Sequence, residues 1–334
     1  MTGPTHLVVG PRRHGVVTYA LNVADVLGQP VVRIEDWSHL DSNLDELRRH
    51  TGGVHLNFTD RLFGASPGDA ADRVADLASA GARLTVTLHD VPQAVDGGNY
   101  RQRTEAYGAV CDAVHGVATN SDHERSLLGE NGITDPADVV VIPLPLDLGA
   151  TPPRRPAPER CSVAVLGFVY PGKGHAEVIS AMAGLAPDAE FLAIGECSPG
   201  HEDLAGQLAA AAAHAGLAFA MTGYLPDRQL SATLHRVAVP VAAHRHVSAS
   251  GSMNTWIAAH RRPLVPENRY SVEHAGRHPG TVRLYPDTHR GLVQAIDAAL
   301  TDPGSTWLGA DAASGSTMAE VARRYAEAFA RWHG

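Results

Sequence analysis

The stretch CSVAVLGFVYPGKGHAEVISAM, residues 161–182, runs from an apolar segment through a glycine-containing loop into an amphipathic one. CSVAVLGF reads as a strand buried on both faces, and HAEVISAMAGL reads as the helix that follows it. The loop between them, Gly167-x-x-x-x-Gly172-Lys173, has the spacing of a phosphate-cradling P-loop. That motif also needs a hydroxyl after the lysine to hold magnesium, and here the residue is Gly174. It needs an aspartate at the end of a later strand as well, and the next apolar run, EFLAIGE, has none. Phosphate binding without magnesium-assisted hydrolysis is the economical reading.

Outward from this unit the same alternation recurs. After it come AEFLAIGE, LAFAMTGY, AVPVAAHR and RPLVP as strands, separated by EDLAGQLAAAAAHAG, DRQLSATLHRV and MNTWIAAHR as helices. Before it come HLVVG, VVRIE, GVHLNF, RLTVTLHD, GVATN and VVVIPLPL as strands, with DELRRHTG as one of the helix ends between them. Strands alternating with helices predict two α/β halves built on parallel sheets. Residues 149–160 carry Pro152, Pro153, Pro156 and Pro158, which suit neither a helix interior nor a central strand. The expected domains are therefore 1–148 and 161–315, with 149–160 as linker.

The chain has 334 residues, 44% hydrophobic and 19% charged, the balance of a folded protein large enough for two cores. Its formal charge of −9 argues against a nucleic-acid-coating role, which requires a basic surface. No charged leader precedes an apolar run and no run reaches about 18 apolar residues, so a cytoplasmic protein without an integral membrane segment is expected. Cys111, Cys161 and Cys197 form no paired motif and are read as buried thiols. His244 and His246 are the densest histidine pair, but no H-E-x-x-H pattern accompanies them and no metal is expected.

Ligands of open parallel sheets bind beyond the carboxyl ends of the strands, so the loops after strands are where chemistry is sought. In GPRRHGVVTYALNV, Gly10 and Gly15 open a helix, whose free amides attract anions; a plain strand-to-helix turn would use the same glycines. In TLHDVPQ, His89 and Asp90 end a strand, where a histidine orients or deprotonates a hydroxyl, or only bonds the backbone. In HVSASGSMNTW, Ser248, Ser250, Gly251 and Ser252 precede a helix and offer a second phosphate-grade site, or a serine-rich cap.

Taken in order, TLHDVP, VATNSDHERSLL, VVVIPLPLD, GFVYPGKGHAEVISAM, GYLPDRQLSATLHRV and the A-A-x-R-R-P-L-V segment resemble the glycosyltransferases of family 4. AEVARRYAEAFARW resembles that family's last helix. The resemblance implies the GT-B architecture: two Rossmann-like domains facing across a cleft, with a C-terminal helix, 316–334, crossing back to the N-terminal domain. It also implies retaining sugar transfer from a UDP or GDP sugar to an acceptor, with no metal and no other cofactor; the short chain and the lack of a basic or apolar membrane-binding helix point to a soluble small-molecule acceptor.

By position, Gly15 would face the donor diphosphate, Lys173 would neutralise it as it leaves, and His89 would sit near the transferred sugar and the acceptor. Gly167 opens the donor loop. Acceptor contacts would come from the N-terminal half, where VHLNFTDRLFG and AVDGGNYRQR are the candidate loops. The chain departs from the family at Phe168, where an arginine is usual, and at Ser248 and Trp256, where paired glutamates are usual. The expected replacements are Ser250, Gly251, Ser252 and Arg245 for the phosphates, with Asn254 or Glu267 for the ribose. A nucleotide-sugar epimerase or hydrolase of the same fold, and a non-catalytic sugar-nucleotide-binding subunit, are the alternatives.

Overall fold

The computed structural model describes residues 3–39, 53–81, 83–148, 161–185, 189–244, 247, 249–310 and 312–333. The expected linker, most of DELRRHTG, Arg245, His246 and Ser248 lie outside them. The chain divides into two compact units, Met1–Pro145 with Ser316–Gly334, and Leu146–Gly315.

The first unit holds six strands: β1 (Thr5–Val9), β2 (Val31–Ile34), β3 (Val54–Phe58), β4 (Leu84–Leu88), β5 (Val117–Thr119) and β6 (Val139–Val141). They pair in parallel in the order 2-1-3-4-5-6. All of β1, β3 and β4 is buried, because helices cover both faces of a parallel sheet and leave no solvent side. The connecting helices are α1 (Gly15–Leu27), α2 (Asp60–Phe63), α3 (Pro67–Ser79), α4 (Tyr100–Ala113) and α5 (Asp122–Glu130). Ser66 and Ser121 cap α3 and α5 by accepting from the amides of Asp69 and Glu124.

The second unit repeats the plan with β7 (Ser162–Leu166), β8 (Glu190–Ile194), β9 (Ala218–Met221), β10 (Val239–Val241), β11 (Leu264–Pro266) and β12 (Arg283–Tyr285). Their order is 12-11-10-7-8-9, again all parallel. Its helices are α6 (His175–Met182), α7 (Leu204–His214), α8 (Asp227–Arg236), α9 (Gly251–Ala258), α10 (Arg269–Arg277) and α11 (His289–Thr301). The strand β12 and its neighbours α10 and α11 were not legible as apolar runs. Arg261, wholly buried, ties this unit's periphery together by donating to the carbonyls of Leu234, Val237, Ala238 and Thr306. Among the three thiols Cys111 is buried, whereas Cys161 and Cys197 are only half-buried, at the edges of the second core.

The last helix, α12 (Met318–His333), packs against α1 in the first unit. Val321, Tyr325, Ala328 and Phe329 form its buried stripe, at the three- and four-residue spacing of one helix face. Beneath it the core is partly polar. His55 shares hydrogen bonds with Thr85 and Thr87, and Thr87 lies 2.8 Å from the Tyr325 hydroxyl.

Candidate active site

Each sheet has a switch point, where successive connections leave toward opposite sides and a crevice opens beyond the strands. In the first sheet it lies between β1 and β3, and in the second between β7 and β10. The candidate residues that follow β1, β4, β7 and β10 gather around these points.

In the first unit, His89 follows β4 and is 8% exposed. Its Nε2 lies 3.0 Å from Asn57 Oδ1, and the Tyr19 ring meets it edge-on at 5.7 Å. Burial, with a lesser contribution from His14, pushes its pKa down to about 3. The ring is therefore neutral near pH 7 and orients a hydroxyl better than it deprotonates one. Its neighbour Asp90 has φ of 55°, an unusual conformation for a residue with a side chain. Tyr107 donates 2.7 Å to the His89 carbonyl, and Arg103 donates 2.6 Å to that of Asp90.

Arg103 was not singled out from the sequence, and it organises this end of the sheet. It pairs with Asp60 at 3.1 Å, with Asp96, and with Asp90 at 3.3 Å. Asp60 lies in VHLNFTDRLFG, and Asp96 and Arg103 itself lie in AVDGGNYRQR, so both candidate acceptor loops are bound to the His89 segment by one guanidinium. No spacing rule links residues 60, 90 and 103, although a buried arginine held by several carboxylates is a strong positional restraint.

His14 caps α1, its Nδ1 accepting from the Val16 amide at 3.3 Å. Gly15 is exposed, and a Cβ placed on it would meet nothing within 4 Å. Packing does not demand glycine here, in contrast to Gly10, where a Cβ would come within 2.8 Å of Leu62.

In the second unit, Lys173 and Ser252 meet. The lysine, 6% exposed, donates from Nζ to Ser252 Oγ at 3.1 Å. Ser252 Oγ also lies 3.4 Å from Ser250 Oγ and 3.4 Å from His244 Nε2. Ser250 caps α9 by accepting from the Met253 amide at 3.2 Å, and its own amide donates to the Tyr270 hydroxyl. Burial pushes the Lys173 pKa down to about 7. Gly167 has φ of 113°, and a Cβ there would lie 3.2 Å from Lys173 Cε and Nζ. Behind it Gly195, at φ 143°, presses so close that a Cβ would sit 2.2 Å from the Gly167 carbonyl oxygen. The loop is thus seated on the end of β8, with the lysine folded over it.

Gly251 opens α9, Asn254 sits one turn into it, and Glu267 is exposed just beyond β11. Trp256, one of the two positions where the sequence resemblance implied a glutamate, is wholly buried among Ala164, Leu166, Ile194, Leu234 and Val237. That position faces the hydrophobic core, and a carboxylate is not missing from the crevice there. Among the described residues no three metal-ligating side chains are placed to hold an ion, and no helix is long and apolar enough to cross a membrane.

No protein-family model matches the chain, nor does any curated protein by sequence. Solved structures do match. HepE from Anabaena in complex with UDP and glucose is 14% identical, covering 100% of this chain and 97% of its own, with a TM-score of 0.73. Sucrose-phosphate synthase from Thermosynechococcus elongatus is 13% identical over 98% of this chain and 94% of its own, at 0.70. A glycosyltransferase from Rickettsia africae is 14% identical over 99% of both chains, at 0.68. The fold of the chain is the two-sheet α/β fold that these proteins share.

Proposed function

We propose that this chain is a cytoplasmic, retaining, metal-independent glycosyltransferase that moves a sugar from a UDP or GDP sugar to a soluble small-molecule acceptor. The observation that carries the reading is the meeting of Lys173, Ser250 and Ser252 at the switch point of the second sheet. A buried cation, two hydroxyls and the start of α9 together suit a diphosphate. Further support comes from HepE, a neighbour of like fold that was solved with UDP and with UDP-glucose.

Glycosyl transfer builds negative charge on the departing phosphate. A fixed ammonium there stabilises the transition state more than the ground state, a duty that falls on Lys173 where no metal serves. Gly251 and the hydroxyls of Ser250 and Ser252 hold the same oxygens, with Gly167 leaving the loop backbone close to them. Gly15 leaves room for phosphate at the start of α1. Arg245 is proposed as a further phosphate ligand, and Asn254 or Glu267 as the ribose ligand. His89, neutral and fixed by Asn57, orients the sugar or acceptor hydroxyl.

The test is a thermal-shift screen against UDP, GDP, ADP, TDP and ATP, each with EDTA and with Mg²⁺. Ligand at 100 times Kd should add about 2.7 kcal/mol of stability. A shift with one diphosphate that survives EDTA is expected, followed by acceptor-dependent release of that diphosphate with the donor's anomeric configuration kept. Binding without turnover against any acceptor would favour the non-catalytic reading, and strict magnesium dependence would overturn the metal-independent one.

A further inference from the structure

The crevice of the second unit holds more basic side chains than a single phosphate-binding lysine accounts for. Lys173 arrives in the loop after β7, and His244 stands three residues beyond β10. Each is 6% exposed. They converge on one atom, Ser252 Oγ, which is 3.1 Å from the lysine Nζ and 3.4 Å from the imidazole Nε2. A hydroxyl has one proton to give and here receives one from Lys173, so its own can point to the imidazole or to Ser250. His175, the first residue of α6, is 3% exposed, and neither ring nitrogen finds a hydrogen-bond partner among the described residues.

Among the described residues, the groups that act on His244 are Lys173, His175, the Ser252 hydroxyl and the backbone of Ala242. None of these is an acid. Burial first, and the charge of Lys173 second, hold both imidazoles well below their ordinary range, to about 3 for His175. A hydrogen bond to the Ala242 backbone acts the other way on His244, favouring its charged form. Lys173 and His175 both oppose protonation of His244, and a multivalent anion placed among them reverses that interaction.

We propose that His244 is a second ligand of the diphosphate, which takes a proton from solvent onto Nε2 as the anion enters and, with Lys173, presents N–H groups to its oxygens. The balance is simple: one proton leaves the buffer, becomes the Nε2 proton, and returns when the anion departs. The Ser252 hydroxyl, no longer needed by the imidazole, turns to the phosphate as a donor. The inference rests on the nucleotide-sugar reading for the identity of the anion, and on this geometry for everything else.

The experiment is titration calorimetry of the whole protein with UDP and, separately, with inorganic pyrophosphate, in EDTA at about pH 7.5, using buffers of low and high ionisation enthalpy. Wild type and His244→Gln are compared, because protons exchanged by the ligand itself are common to both. Wild type should take up protons on binding, and the variant about half a proton fewer, with wild-type pyrophosphate affinity rising about fivefold from pH 8 to pH 7. Equal proton uptake in the two proteins overturns the role of His244. Pyrophosphate binding with proton uptake, without UDP binding, keeps the basic cradle and sinks the nucleotide-sugar reading. UDP binding with equal uptake in both proteins does the reverse, and no binding of either anion sinks both. Should the variant fail to fold, ring-¹⁵N histidine spectra of wild type decide: one imidazole must pass from neutral to charged as pyrophosphate is added, and no such change overturns the proposal.

Discussion

The hydroxyls of Tyr19 and Tyr325 lie 3.1 Å apart, joining the first helix to the last across 306 residues of chain. Tyr325 also shares a 2.8 Å hydrogen bond with Thr87, and Asn120 donates to Tyr19 at 3.4 Å. Tyr325→Phe keeps the ring and leaves two buried hydroxyls each short of a partner. It should cost the first unit about 1 to 3 kcal/mol in urea unfolding. Tyr325→Ala, which also empties the ring's volume, should cost about 3 to 5 kcal/mol.

Lys173→Met keeps the stem of the side chain and removes the charge. Turnover should fall at least tenfold, equivalent to about 1.4 kcal/mol of transition-state stabilisation. An unchanged rate in a nucleoside-diphosphate release assay would remove the lysine from the mechanism.

The same variant has a signature in stability against pH. The folded lysine titrates at about 7 and the unfolded one at its ordinary value, so between these limits the unfolded chain binds the extra proton. Wild type should therefore gain stability, relative to Lys173→Met, as pH rises from about 7 toward 10, and the difference should level off below about 7. Thermal unfolding of both proteins across that window measures it.

Acid should act in the opposite window. Burial lowers His6 to about 4, and His89, His175 and His274 to about 3. Unfolded histidines take up protons at about pH 6.5, so stability present above that value should be lost progressively as pH falls toward 4. Denaturation midpoints should drop through this range, and His274→Gln should drop less.

Two glycines separate shape from chemistry. Gly195→Ala must push a methyl group into the Gly167 carbonyl at a positive φ, and should destabilise the second unit by about 1 to 3 kcal/mol. Gly15→Ala meets no neighbour, so thermal stability should hold while turnover falls about tenfold if phosphate approaches there. Full activity in a stable Gly15→Ala protein would remove that residue from the donor site.

Trp256→Glu tests whether a carboxylate belongs at that position. The tryptophan lies in the core, so the change buries an unpaired charge and empties a large volume. Loss of at least about 4 kcal/mol in denaturant unfolding is expected, with no gain in nucleotide affinity.

The sequence was most readable where burial on both faces forces unbroken apolar runs, as in THLVV of β1 and SVAVL of β7. It was least readable at β12, where RLY is only three residues long and only Tyr285 is buried. The site divides similarly. Lys173, Ser250 and Ser252 follow strands and could be found from chain position. The roles of Asn57, Tyr19 and Arg103 depend on strands brought side by side, and nothing in their local spacing encodes that. His244 was visible only as half of a histidine pair considered for a metal. Its approach to Ser252 depends on how the turn after β10 meets α9, a geometry that no motif records.

The return of α12 to the first unit also bears on the order in which the protein is made. The ribosome completes residues 146–315 before it reaches Tyr325 and Phe329, so the second unit has its whole core available while the first still lacks a buried helix. At about 5 to 20 residues per second, the stretch between Pro145 and Tyr325 takes roughly ten to thirty-five seconds to make. Through it the nascent first unit exposes the apolar face around Tyr19 and Val23, together with the imidazole of His55, that α12 will later cover. Chaperones that bind apolar surface have their target there during translation, and a stall late in the message leaves the earliest-made half of the chain as the unfinished one.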